Sequence, residues 1–108
     1  MRVNKMQAMK GFWIDSRVLL AKELNSTEKL LLTIIQTMQE GDDGFKQTNR
    51  FLATMLDQSD PRNVSKMLSK FTKLGLTETT YFGIYPRERI IKVISDNISK
   101  LDVVQPKK

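Results

Sequence analysis

Asp60-Pro61 at one end and Gly75 at the other delimit a helix more tightly than any other signal in this chain. An aspartate cap accepts from free backbone amides, and a proline at the first helical position fixes the backbone where no N–H is needed. Gly75 supplies the left-handed residue on which helices commonly stop. The spacing predicts a helix over 61–74. With Arg62 set at zero and about 100° per residue, Val64, Met67, Leu68, Phe71 and Leu74 fall between roughly 120° and 240°. Lys66, Lys70 and Lys73 fall at roughly 40°, 80° and 20°. One face is apolar and the opposing face is basic, without an acidic residue after the cap. Such a stripe must be buried against other elements, so the rest of the chain has to supply a core around it.

The preceding sequence supplies two more helices. Asn25 with Glu28 forms a capping-box pattern, and Leu30, Leu31, Ile34, Ile35 and Met38 follow at helical spacing. That helix is expected to end at Gly41, in the turn Gly41-Asp42-Asp43-Gly44. Phe45-Lys46-Gln47 reads as a short extended link. Thr48 is the expected cap of a second helix whose apolar face is Phe51, Leu52, Met55 and Leu56. Asp57-Gln58-Ser59 then makes a tight turn into the helix at Pro61. Upstream, Phe12-Trp13-Ile14 reads as a short strand or apolar anchor, and Val18, Leu19, Leu20 and Leu24 as a brief helical turn.

After Gly75 the pattern changes. Residues 76–81 alternate and are rich in threonine and tyrosine, and residues 89–94 are β-branched. Gly83 and Pro86 mark the loop between them. A short helix is expected over 96–101, followed by a mobile tail at 105–108. The fold class is therefore mainly α with a small β hairpin (α+β). It is one domain over 1–108, with its core at about 12–94.

Composition narrows the chemistry. The chain has no cysteine and no histidine, which removes thiolate chemistry, histidine-based general catalysis and nearly every zinc site. No phosphate-binding glycine loop or nucleophile elbow is present, and the spacing around Asp42-Asp43 is not that of a calcium loop. The expectation is no enzyme, no metal and no cofactor. No apolar run approaches the ~20 residues of a membrane span, and the first ten residues lack the apolar core of a signal peptide. A cytoplasmic location without membrane association is expected.

The formal net charge is +6. From Pro61 to Lys92 there are seven basic residues and two acidic ones, so this window carries +5 of the total. A solvated face usually mixes the two signs, which also gives helical ion pairs. A single sign concentrated in one stretch points to a polyanionic partner, most commonly nucleic acid. If the helix enters a major groove, Arg62, Asn63 and Lys66 near its start are the candidates for base edges. Ser65, Ser69, Lys70 and Lys73 are the candidates for phosphates. The terminus at Pro61 is itself a candidate anion site.

The hairpin tip gathers Tyr81, Phe82, Ile84 and Tyr85 before Pro86-Arg87-Glu88-Arg89. Part of this cluster is expected beneath the hairpin as core. Three uses remain open for the rest: Arg87 and Arg89 along phosphates or in a minor groove, Tyr85 and its neighbours stacked on unpaired bases, or a protein contact.

The order of elements resembles the winged helix-turn-helix domains of bacterial and phage replication proteins, such as DnaD-type primosome proteins and plasmid initiators. The likeness runs from Phe12 to Val93. It is carried by Asn25-Ser26-Thr27-Glu28 and the leucines after it, by residues 44–53 beginning Gly44-Phe45-Lys46-Gln47, by Asn63-Val64, and by Leu74-Gly75-Leu76. The resemblance implies a three-helix core plus wing. It also implies a recognition role for Arg62, Asn63, Lys66 and Lys70, and a task in the replication or maintenance of a mobile element. The expected partner is DNA, double-stranded before single-stranded. A replication protein and a second copy of this chain are the other candidate partners. A small dimeric transcriptional regulator, a centromere binder and an accessory subunit of a polymerase, primase or helicase are the competing functions.

Overall fold

Local capping signals set where the helices begin. The computed structural model describes residues 12–39, 44–57, 60–84 and 88–104 of the 108-residue chain. Asp15 caps α1 (Ser16–Leu19) through the amide of Arg17. Asn25 and Glu28 form the reciprocal capping box of α2 (Ser26–Met38), with bonds of 2.9 and 2.8 Å. Thr48 caps α3 (Asn49–Met55) through the amide of Phe51. Asp60 and Pro61 open α4 (Pro61–Lys73). Each cap satisfies a donor that the first helical turn otherwise leaves free.

Gly75, at φ +75°, turns the chain from α4 into β1 (Thr77–Phe82). β2 (Glu88–Val93) returns antiparallel, with Thr77 opposite Val93 and Tyr81 opposite Arg89. A short α5 (Ser95–Ile98) follows. The chain is thus an α+β fold in which helices carry a two-stranded antiparallel hairpin.

α2 runs through the centre: Leu31, Leu32, Ile34, Ile35 and Met38 are all buried. α4 contributes Val64, Leu68 and Phe71, and the hairpin contributes Ile91. Phe45 closes the core from the other side. It exchanges backbone hydrogen bonds of 2.7 and 2.9 Å with Ile91, adding one rung to the outer edge of β2. The extended link expected at 45–47 therefore acts as a third, minimal strand. α3 packs on α4, and α4 packs on β1.

Gly44 makes that rung possible. Its φ is +80°, and a Cβ there would lie 2.6 Å from Ile90 Cγ2 and 2.9 Å from the Ile91 carbonyl oxygen. Left-handed backbone strain and overpacking act together in Gly44→Ala, which is expected to cost about 2–3 kcal/mol. Denaturant unfolding measures it, and a variant as stable as the parent contradicts this packing.

Four expectations are corrected. α2 stops at Met38 with Gln39 as its cap, because the Gln39 side chain turns to accept from the Val93 amide at 3.0 Å; Gly41 and the rest of its turn lie outside the described residues. Leu30 is exposed, while Leu32 and Thr33 are buried in its place. A central helix is contacted on more of its circumference than a single stripe predicts. Phe12-Trp13-Ile14 forms no strand, and Trp13 packs on nothing among the described residues, being 92% exposed. Finally, α5 ends at Ile98, and the chain then folds back. Ala21 pairs with Val103, and Val104 donates to the Leu20 carbonyl at 2.8 Å.

Candidate nucleic-acid interface

The polar half of α4 divides into three strips that follow from its helical angles. At one edge stand Ser65, Ser69 and Thr72, all exposed. These hydroxyls face the hairpin. Together with Lys73, Thr79, Tyr81 and Arg89 they border an open cleft of ≈ 400 Å³. In the middle lie Arg62, Lys66 and Lys73, also exposed. Asn63 is exposed near the start of the helix.

Lys70 forms the other edge, and there the structure departs from the sequence reading. Its ammonium donates to Glu28 Oε1 at 2.9 Å, and that glutamate side chain is only 7% exposed. The same carboxylate oxygen accepts from the Asn25 amide in the capping box. Lys70 therefore ties α4 to the start of α2. A charge that neutralises a buried carboxylate is costly to withdraw, so Lys70 is a structural residue here and not a free phosphate contact.

Arg62 is also engaged. Its Nε lies 2.9 Å from Asp60 Oδ2, and its Nη2 lies 2.8 Å from the same oxygen. The Asp60 carboxyl is held below its ordinary value, first by the Arg62 side chain, then by the Arg62 amide, with Lys66 adding a smaller pull. The sign is that of a depressed acid. The cap's contribution is present above the unfolded-state value and fades as pH falls through the lowered one. Because Asp60 occupies the amide at the helix start, the anion site expected at Pro61 is already filled by a carboxylate.

On the hairpin, Tyr81 and Phe82 are both exposed, contrary to the expectation that part of the cluster packs as core. Strand alternation places Thr77 and Thr79 inward, and the far end of the hairpin extends past the body it covers. Ile84 is 96% exposed. Tyr85 and Arg87 lie outside the described residues. Arg89 reaches inward across the sheet instead of outward. Its Nη1 donates to Asn49 Oδ1 at 2.6 Å, and its Nη2 donates to the Gln47 carbonyl at 2.9 Å. Burial pushes its pKa down, and nearby Tyr81 opposes that. Among the described residues no carboxylate lies within ion-pair distance of Arg89. A partly desolvated cation whose hydrogen-bond partners among the described residues are neutral has unmatched positive charge to offer.

Compared with protein-family models, curated proteins and solved structures, the chain matches none.

The site's geometry brings Ser65, Ser69, Lys73 and Arg89 to one cleft, with Lys66 and Asn63 exposed on the same helix. It diverts Lys70 and Arg62 to intramolecular partners. It also adds Thr72, Thr79 and Tyr81, which the sequence reading did not place there. Thr72 was within reach, since its angle continues the Ser65–Ser69 row. Thr79 and Tyr81 required the packing of β1 on α4, which no local pattern encodes.

Proposed function

We propose that this chain is a winged helix-turn-helix protein that binds duplex DNA, with α4 as the recognition helix and the hairpin as its wing. One observation carries the reading: a row of hydroxyls and Lys73 on α4 border a cleft closed by the hairpin's Arg89, and no acidic side chain is among its lining residues. Hydroxyls, ammonium groups and a guanidinium are the donors that most often meet phosphate oxygens. The concentration of positive charge in the same stretch supplies long-range attraction.

Further support comes from the arrangement of elements. α3 and α4 pack together through a short connection, and the single rung at Phe45 extends the hairpin sheet. In this assignment Asn63 and Lys66 approach base edges, while Ser65, Ser69, Lys73 and Arg89 hold the backbone. A role in replication or maintenance of a mobile element rests on the resemblance of the sequence to replication-protein domains. Charge reversal at Lys66 and Lys73, read as DNA affinity, is the experiment that tests the assignment.

A second reading, a module that grips another replication protein, is favoured by the exposure of Trp13 between Phe12 and Ile14. Exposed aromatic side chains are enriched at protein interfaces. It predicts a stable protein complex and weak binding to DNA alone.

A further inference from the structure

A second open cleft, of ≈ 470 Å³, lies on the other side of the Tyr81–Arg89 cross-strand pair. Its walls are the segment of Lys46, Gln47 and Asn49 on one side, and Phe82 and Glu88 of the hairpin on the other. Tyr81 and Arg89 border both clefts. Its size falls in the range of roughly 300–1,000 Å³ typical of small-ligand sites.

The two clefts differ in chemistry. The first offers hydroxyls and cations, which suits phosphate. The second is also bordered by cations, Lys46 and Arg89, and by Thr48, and it adds Phe82 and the Glu88 carboxylate. Asn49 gives its carbonyl oxygen to Arg89, which leaves its amide nitrogen as a donor. Glu88 is exposed and supplies a carboxylate acceptor. An acceptor of this kind repels phosphate but matches the exocyclic amino group of a base such as cytosine. Flat apolar faces beside in-plane polar groups form the recognition set of an unpaired base.

The geometry points to this cleft as a pocket for one unpaired nucleobase, so that the protein engages DNA where a duplex gives way to a single strand. The inference rests on the proposed DNA-binding face: the strand leaves the first cleft, crosses the Tyr81–Arg89 divide and places its next base against Phe82. Arg89, held by Gln47 and Asn49, sits beneath the connecting phosphate. Its two bonds to neutral partners fix its plane and leave its charge for the backbone.

The test compares three labelled duplexes by fluorescence anisotropy: blunt, with a short deoxycytidine overhang, and with an abasic overhang of equal length. Both overhang polarities are included. The abasic form matches the charge and removes only the base. The expected result is binding about fivefold or more tighter to the base-bearing overhang than to its abasic counterpart, the lower end of what stacking one base on an aromatic ring contributes. Phe82→Ala removes that difference and leaves blunt-duplex affinity unchanged, and circular dichroism establishes that the variant is folded, since the residue is 40% exposed. Equal affinity for the base-bearing and abasic forms overturns the pocket while the blunt-duplex reading stands. A preference that survives Phe82→Ala overturns it too, since the base is then read elsewhere. Failure to bind any of the three overturns both readings.

Discussion

Lys66→Glu combined with Lys73→Glu is expected to weaken duplex binding by about 3–5 kcal/mol, because a charge-assisted contact is worth about 1.5–3 kcal/mol and reversal adds repulsion. At about 1.4 kcal/mol per tenfold, affinity falls by more than about a hundredfold. Both side chains are exposed on the middle strip of α4, and neither forms an ion pair among the described residues. The variant should therefore melt close to the parent, and circular dichroism checks this before affinity is read. A folded double variant with parental affinity contradicts the assignment of this face. Lys70→Glu would set a second carboxylate against the buried Glu28 and lose stability for reasons unrelated to DNA.

Phe71→Ala is expected to destabilise the fold by about 3–5 kcal/mol, the usual cost of truncating a fully buried phenylalanine. The ring is completely inaccessible and lies where α4 meets the core. Its carbonyl also accepts from the Leu76 amide at 2.9 Å, so the chain leaves the helix directly beside it. A cavity there loosens α4 against its neighbours and the hairpin with it. Thermal or denaturant unfolding reads the loss, and a variant as stable as the parent contradicts the register of α4. The contrast with Phe82→Ala is informative: one phenylalanine supports the fold, and the other is available to a ligand.

The features that were legible in the sequence are those governed by near neighbours along the chain. The capping box at Asn25 and Glu28, the Asp60-Pro61 start, the Gly75 stop and the buried stripe of α4 each involve residues a few positions apart, and all are present. Those that were not legible are contacts between distant parts. Lys70 meets Glu28 across 42 positions, and Arg89 meets Asn49 across 40. Helical angle correctly put Lys70 at the edge of the polar face. It could not reveal that the start of another helix places a buried carboxylate there. From sequence, Arg89 follows the hairpin tip and is expected along phosphates or in a minor groove. The inward reach follows from its pairing with Tyr81 over the start of α3. Trp13 departs from its expected burial because an apolar cluster is buried only when some element lies against it.

One consequence is that charge counts overstate the free positive surface of this chain. Of the basic residues assigned to the interface from sequence, Arg62 and Lys70 are paired with carboxylates, and Arg87 lies outside the described residues. Lys73 and Arg89 carry the proposed contact to the backbone, and Lys66 approaches base edges.

Contacts between these cations and phosphates make binding to a blunt duplex depend on salt. Each neutralised phosphate contributes about −0.9 to the slope of log affinity against log salt, so the two cations assigned to phosphates predict a slope near −2. Measurable binding at low salt with a slope of about that size is the result this account predicts. A slope near zero, or no binding at low salt, contradicts it and leaves the protein-partner reading in its place.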